Sequence, residues 1–127
     1  MASSRLRMIE LRVSDVDAAY RFYRDLIGLE LDEPASDGPV DDRHSHASWG
    51  SEEDGNRLLL TLRGAGTQPP SRSRVSFAVD DVDAKHVALV KARVEVQRAP
   101  QVLSWGKVAA YADADGNIVT LVQRPGA

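Results

Sequence analysis

Residues 11–18 read LRVSDVDA, and residues 77–84 read FAVDDVDA. Val13, Asp15, Val16, Asp17 and Ala18 recur as Val79, Asp81, Val82, Asp83 and Ala84, with Asp81 standing 66 positions after Asp15 in a chain of 127 residues. A phrase repeated at about half the chain length restricts the fold to two copies of one supersecondary unit, because each copy alone has too little apolar surface to close a core.

The flanking patterns define that unit. Residues 6–13 alternate and are rich in β-formers, which predicts a strand. Ser14 with Asp17 has the spacing of a capping box, and Asp15 is a second N-cap candidate. From Val16 the apolar positions Ala19, Tyr20, Tyr23, Leu26 and Ile27 follow helical spacing, and Gly28 is placed to end the helix. A short strand over LELDE (29–33), a loop over PASDGPVDD (34–42), a strand over RHSHASWG (43–50), a turn at SEEDGN (51–56) and a strand over RLLLTLRG (57–64) complete the half. The second half repeats this order. RVSFAV is a strand, Asp80 with Asp83 offers a capping box, and DVDAKHVALVKAR is a helix. VEVQ is a strand, a loop carries Trp105, and KVAAYA and IVTLVQ are strands around the turn DADGN. The turns also correspond, EDGN ending at Asn56 and ADGN at Asn117. The expected fold is therefore α+β, with two βαβββ modules at 1–63 and 74–127 joined by a linker at 64–73 of Pro, Ser and Gly composition.

Composition narrows the function. With no cysteine, the chain has no disulfide, thiolate metal site or cysteine nucleophile. A net charge of −3 with scattered arginines lacks the clustered basic footprint of a nucleic-acid binder. No apolar run approaches the roughly 18 residues that a membrane span needs, and the N-terminal stretch does not read as a secretory signal. A cytoplasmic protein without nucleic-acid or membrane partners is the expectation.

The segments VSDVDAAYRFYRDLIGL (13–29), FAVDDVDA (77–84) and WGKVAAYADADGNIVTLVQ (105–123), in this order, resemble the vicinal oxygen chelate superfamily of glyoxalases, extradiol dioxygenases and bleomycin-resistance proteins. The resemblance spans nearly the whole chain. One departure is Ala114, where the family usually has proline in its D-P-x-G-N turn. The resemblance implies that the eight strands form a paired, cup-shaped sheet with helices on its outer face and a site inside. It also implies a homodimer with ligand sites at or near the interface, since related proteins close open cups by two-fold pairing.

Metal-dependent members of that superfamily place His, Glu or Gln on the first and last strand of each module. The corresponding residues here are Met8, Arg74, Thr120, and Thr61 or its same-face neighbour Leu59. Methionine, arginine and threonines do not build a divalent O/N site, so no metal and no other cofactor is expected. His44 and His46 form an H-x-H pair whose imidazoles share one strand face, roughly 6.5–7 Å apart at the backbone. Either they line a polar wall, the reading adopted here, or they grip zinc or copper with Glu10 as third ligand. DADGN resembles the start of a calcium loop, but glycine and the distal carboxylate fall in the wrong places, so the turn is structural.

Alternation on the first strand sends Met8, Glu10 and Arg12 to one face and Ile9, Leu11 and Val13 to the other. The mixed set is expected to face the cavity as ligand contacts, or to form a Glu10–Arg12–Arg74 salt-bridge network. Thr61 and Thr120 widen the cup. Trp105 begins a WG pair such as stands in bleomycin-binding relatives, and Trp49 is expected opposite it. The two would form a stacking clamp for a planar ligand, with simple packing as the alternative for each. Tyr111 completes the candidate set.

These residues point to a metal-independent protein that sequesters a bulky aromatic natural product or antibiotic, giving resistance. Two enzymatic alternatives remain. One is a metal-dependent lyase, isomerase or dioxygenase with a displaced His44/His46/Glu10 site. The other is metal-free catalysis with Glu10 as base and Arg12 or Arg74 holding an oxyanion.

Overall fold

The computed structural model describes residues 4–36 and 43–126. The chain divides into two compact units, Met1–Pro70 and Ser71–Ala127. Each carries one four-stranded mixed sheet and a helical segment, so the α+β class and the βαβββ order are both observed.

In the first unit, strand β1 (Met8–Val13) leads into helix α1 (Val16–Arg21), which continues as a π-helical segment over Phe22–Ile27. Strands β2 (Ala35–Ser36), β3 (Arg43–Trp49) and β4 (Leu58–Gly64) follow. The sheet order is β1-β4-β3-β2, with β1 parallel to β4 and the other pairs antiparallel. A parallel pair cannot be closed by a hairpin, so the chain crosses over between β1 and β4, and α1 packs on the face of β3 and β4. Leu11, Val13, Leu60, Leu62, Ser45 and Ala47 are buried on that face, with Val16, Tyr23 and Ile27 of the helical segment.

The second unit follows the same plan with β5 (Arg74–Ala78), α2 (Val82–Lys91), β6 (Glu95–Leu103), β7 (Gly106–Ala112) and β8 (Ile118–Gln123). Its order is β5-β8-β7-β6, with β5 parallel to β8. Val82 and Leu89 of α2 are buried, as are Tyr111, Ala109, Val119 and Leu121 of the strands. His86 reaches from α2 to the Tyr111 hydroxyl, 2.8 Å away, joining helix to sheet. Burial, with Asp83 adding to it, pushes the Tyr111 phenol up to about 12.

Several local expectations change. The N-caps are Asp15 and Asp81, whose carboxylates accept from the Ala18 and Ala84 amides at 3.1 and 3.0 Å, and not Ser14 or Asp80. An N-cap needs extended backbone and an acceptor aimed at the first turn, which these aspartates have. The helix after Val16 widens into π geometry, and its last turn is closed by the Gly28 amide on the Tyr23 carbonyl, five residues back, with Gly28 at φ 95°. LELDE is not a strand. Its Asp32 nonetheless bonds to β3 through its amide and the His46 carbonyl (3.1 Å), and the short β2 lies within the predicted loop. The rest of that loop, 37–42, lies outside the described residues. VEVQ extends into a nine-residue edge strand whose register shifts twice, and Pro100 is tolerated there because an edge position needs no ladder donor. The loop expected around Trp105 shrinks to the turn Ser104–Trp105.

The turn DADGN closes without the family's proline. The Asp113 carboxylate accepts from the Asp115 and Asn117 amides, both at 2.9 Å, and from the Asn117 side-chain amide at 2.9 Å. The fully buried Asn117 accepts from the Ser73 amide (2.8 Å) and the Ser71 hydroxyl (3.1 Å), tying the start of β5 to the start of β8. Asn56 plays a similar part in the first unit by accepting from the Ser51 amide at 2.8 Å. Asn117→Ala leaves buried donors unsatisfied and is expected to lower stability by about 2–4 kcal/mol in urea denaturation. A loss below about 0.5 kcal/mol would mean that the clasp is replaceable by water.

Candidate functional site

Each sheet has a face without a helix. In the first sheet the register places three rows of side chains there: Met8, Leu59 and Ser48; Glu10, Thr61 and His46; and Arg12, Arg63 and His44. Six sequence-derived candidates, Met8, Glu10, Arg12, His44, His46 and Thr61, are thus brought together on one surface. In the second sheet Arg74 and Thr120 share the helix-free face with Ser76, Ile118 and Ala110.

Two candidates fall elsewhere. Trp49 alternates with His46 and Ser48 and points to the helix-bearing face, paired with Leu58. Tyr111 is wholly buried beneath α2 in its bond with His86. Neither belongs to a helix-free surface. Trp49 ends β3, and Trp105 immediately precedes β7. Trp105 itself is 56% exposed in the β6–β7 turn. The glycine after it is obligatory, since a Cβ on Gly106 (φ 154°) would stand 2.6 Å from the Gln123 carbonyl oxygen.

The polar rows are wired together differently from the expected Glu10–Arg12–Arg74 network. Glu10 takes the Arg63 guanidinium at 2.6 Å, and Arg12 donates to Gln68. Arg63 is readable from alternation, two residues after Thr61 on the same strand. Asp32 was unreadable by the same logic, because it lies outside a regular strand. Its carboxylate accepts from the His46 amide at 2.6 Å, lies 3.4 Å from His46 Nδ1, and accepts from the Ser45 hydroxyl at 3.1 Å. The contact with Asp32 orients the His46 ring on this face. The His44 and His46 rings meet edge to face at 4.9 Å.

At the centre of the sheet, Thr61 is fully buried, and its hydroxyl has no hydrogen-bond partner among the described residues. Such a group costs about 1–3 kcal/mol. A cleft of about 300 Å³ is lined by Glu30, Asp32, His46, Ser48, Arg57 and Leu59. A second hollow of about 520 Å³ lies at the Asp17–Arg43 ion pair, against Ser14 and Gly64–Gly66.

Residues 5–121 match the Glyoxalase/Bleomycin resistance protein/Dioxygenase superfamily. The chain belongs to that superfamily. An antibiotic binding protein from Streptomyces sp. CB03234, TnmS3, is 30% identical, covers 98% of both chains and superposes with a TM-score of 0.69. The probable lactoylglutathione lyase of Vibrio parahaemolyticus is 25% identical over 97% of this chain and 93% of its own. A superfamily member from Sphaerobacter thermophilus is 20% identical over 96% of this chain and 98% of its own, with a TM-score of 0.72, a likeness of fold alone.

Superfamily enzymes hold a divalent metal, and the residues present do not fit one. Met8 is half-exposed and offers a thioether, Arg74 is a cation, and Thr61 and Thr120 offer neutral hydroxyls. Among the described residues no group of three His, Asp or Glu side chains is disposed to hold a metal ion. The displaced His44/His46/Glu10 site is not assembled: Glu10 is turned to Arg63 and His46 to Asp32.

Burial alone would push the Asp32 carboxyl up, but hydrogen bonds from the His46 amide, the Ser45 hydroxyl and the His46 ring together hold it below the usual carboxylate range. A depressed carboxylate contributes stability that is fully present above its unfolded pKa, about 3.9, and is lost as pH falls through the lower folded value. Wild type should therefore exceed Asp32→Asn in melting temperature at neutral pH, with the gap closing below about pH 4. A gap that persists unchanged at pH 2 would show that the clasp does not depend on the charge.

Proposed function

We propose that this chain is a metal-independent binding protein that sequesters a bulky aromatic natural product, in the manner of the bleomycin-resistance branch. The observation that carries the reading is the chemistry of Met8, Thr61, Arg74 and Thr120, which stand where metal-dependent members have their ligands and cannot replace them. The likeness to an antibiotic binding protein over 98% of both chains supports the same choice. Such a protein needs no bond-making group, only apolar area with a few directed polar contacts. Met8 supplies the soft apolar patch, Glu10, Arg12, His44 and His46 the polar wall, and Trp105 an exposed rigid ring. The proposed location is the cytoplasm. No helix among the described residues is long and apolar enough to cross a membrane.

The likeness to a lactoylglutathione lyase favours a second, enzymatic reading. Without a fitting metal set it reduces to Glu10 as base, and Glu10 would first have to leave Arg63.

Trp105→Ala should weaken binding of bleomycin or an anthracycline at least about tenfold, since a well-packed aromatic anchor contributes about 2 kcal/mol or more. Tryptophan fluorescence of the wild type and of each single tryptophan variant reads the titration. Unchanged affinity in Trp105→Ala would falsify the stacking contact and shift attention to the polar wall.

The reading also includes a homodimer with ligand sites at or near its interface. Light scattering at micromolar concentration should return twice the chain mass, and a stable monomer would contradict it.

A further inference from the structure

The helix-free face of the first sheet changes chemistry along its strands. At one end Met8 and Leu59 make an apolar row, with Met8 45% exposed. Two residues along each strand, Glu10 and His46 flank Thr61 in a mixed row. Two residues further, Arg12, Arg63 and His44 stand directly opposite one another across three strands. That last row contains no carboxylate.

Direct juxtaposition of like charges across strands is unfavourable in itself, so a row of this kind is matched by an anion. Arg63 bonds to Glu10 of the mixed row, and Arg12 donates to Gln68, a neutral amide. A guanidinium presents five donors in a planar fork, which one such partner does not exhaust. The same fork suits the two oxygens of a carboxylate or sulfonate. The chain as a whole is at −3, so it offers an anion no general attraction, and binding of one would report this row.

We propose that this face takes an amphiphilic aromatic anion, with its rings over Met8 and Leu59 and its acidic group on Arg12 and Arg63. Four residues of strand, about 13 Å, separate the two rows, so the ligand is elongated, apolar at one end and negative at the other. The inference rests on the reading of the chain as a binder of aromatic compounds and adds the charge which that reading leaves open.

The experiment compares two fluorescent probes that share one aromatic body, anilinonaphthalenesulfonate and the uncharged N-phenylnaphthylamine. Arg12 is exposed, and Arg12→Gln should weaken the sulfonate roughly three- to tenfold while leaving the uncharged probe unchanged. Arg12→Lys keeps the charge and should recover part of the loss. Lys91→Gln makes the same charge change on the exposed end of α2 and should alter neither probe. Added salt should weaken the sulfonate alone. An unchanged sulfonate affinity in Arg12→Gln, an equal loss of both probes, or an equal effect of Lys91→Gln would each overturn the proposal. If the uncharged probe binds and the sulfonate ignores Arg12, the anionic end is wrong and the aromatic binder stands. If neither probe binds the wild type, both readings fall.

Discussion

The parallel pairing of the first and last strands of each module, β1 with β4 and β5 with β8, governs what the rest of the chain can do. A parallel pair demands a crossover, the crossover carries the helical segment, and the helix closes one face of the sheet. The opposite face has no helix over it. Leu11, Val13, Leu60 and Leu62 are consumed by the closed face, while Met8, Glu10, Arg12, Thr61 and Arg63 fall on the other. Functional chemistry is therefore sorted by residue parity: a one-residue slip in β1 would bury Glu10 and expose Leu11.

Parity also explains how far the sequence could be read. The repeat led to the βαβββ order, and alternation on β1 and β4 led to the polar rows, since both signals are local. Trp49 was expected opposite Trp105 from the repeat, with packing as its alternative, and alternation along β3 sets its side chain on the face away from His46 and Ser48. Tyr111 was misplaced for a different reason. An aromatic residue on a central strand serves either face equally well by residue type, and its register opposite Val119 with the His86 contact fixes its direction. Asp32 was invisible because its position depends on a segment without periodicity that happens to bond to β3.

The polar surface is a set of mutual constraints more than a source of stability. Partly exposed ion pairs such as Glu10–Arg63 contribute about 0–1 kcal/mol each. Their effect is orientational: Arg63 holds Glu10, Asp32 fixes the His46 ring, and the rings of His44 and His46 restrict each other. A rigid polar surface loses little side-chain freedom when it meets a ligand, which suits a protein whose proposed task is to bind.

The irregular edge strand β6 has a further effect. It exposes Val96 and Val102, the latter at 75%, along the margin of its sheet. A straight apolar edge of that length is a template on which a second chain can zip up strand by strand into fibrous aggregates. Here the two register shifts and Pro100 interrupt the row of donors and acceptors. The interrupted margin leaves a second chain no continuous row of partners on which to pair.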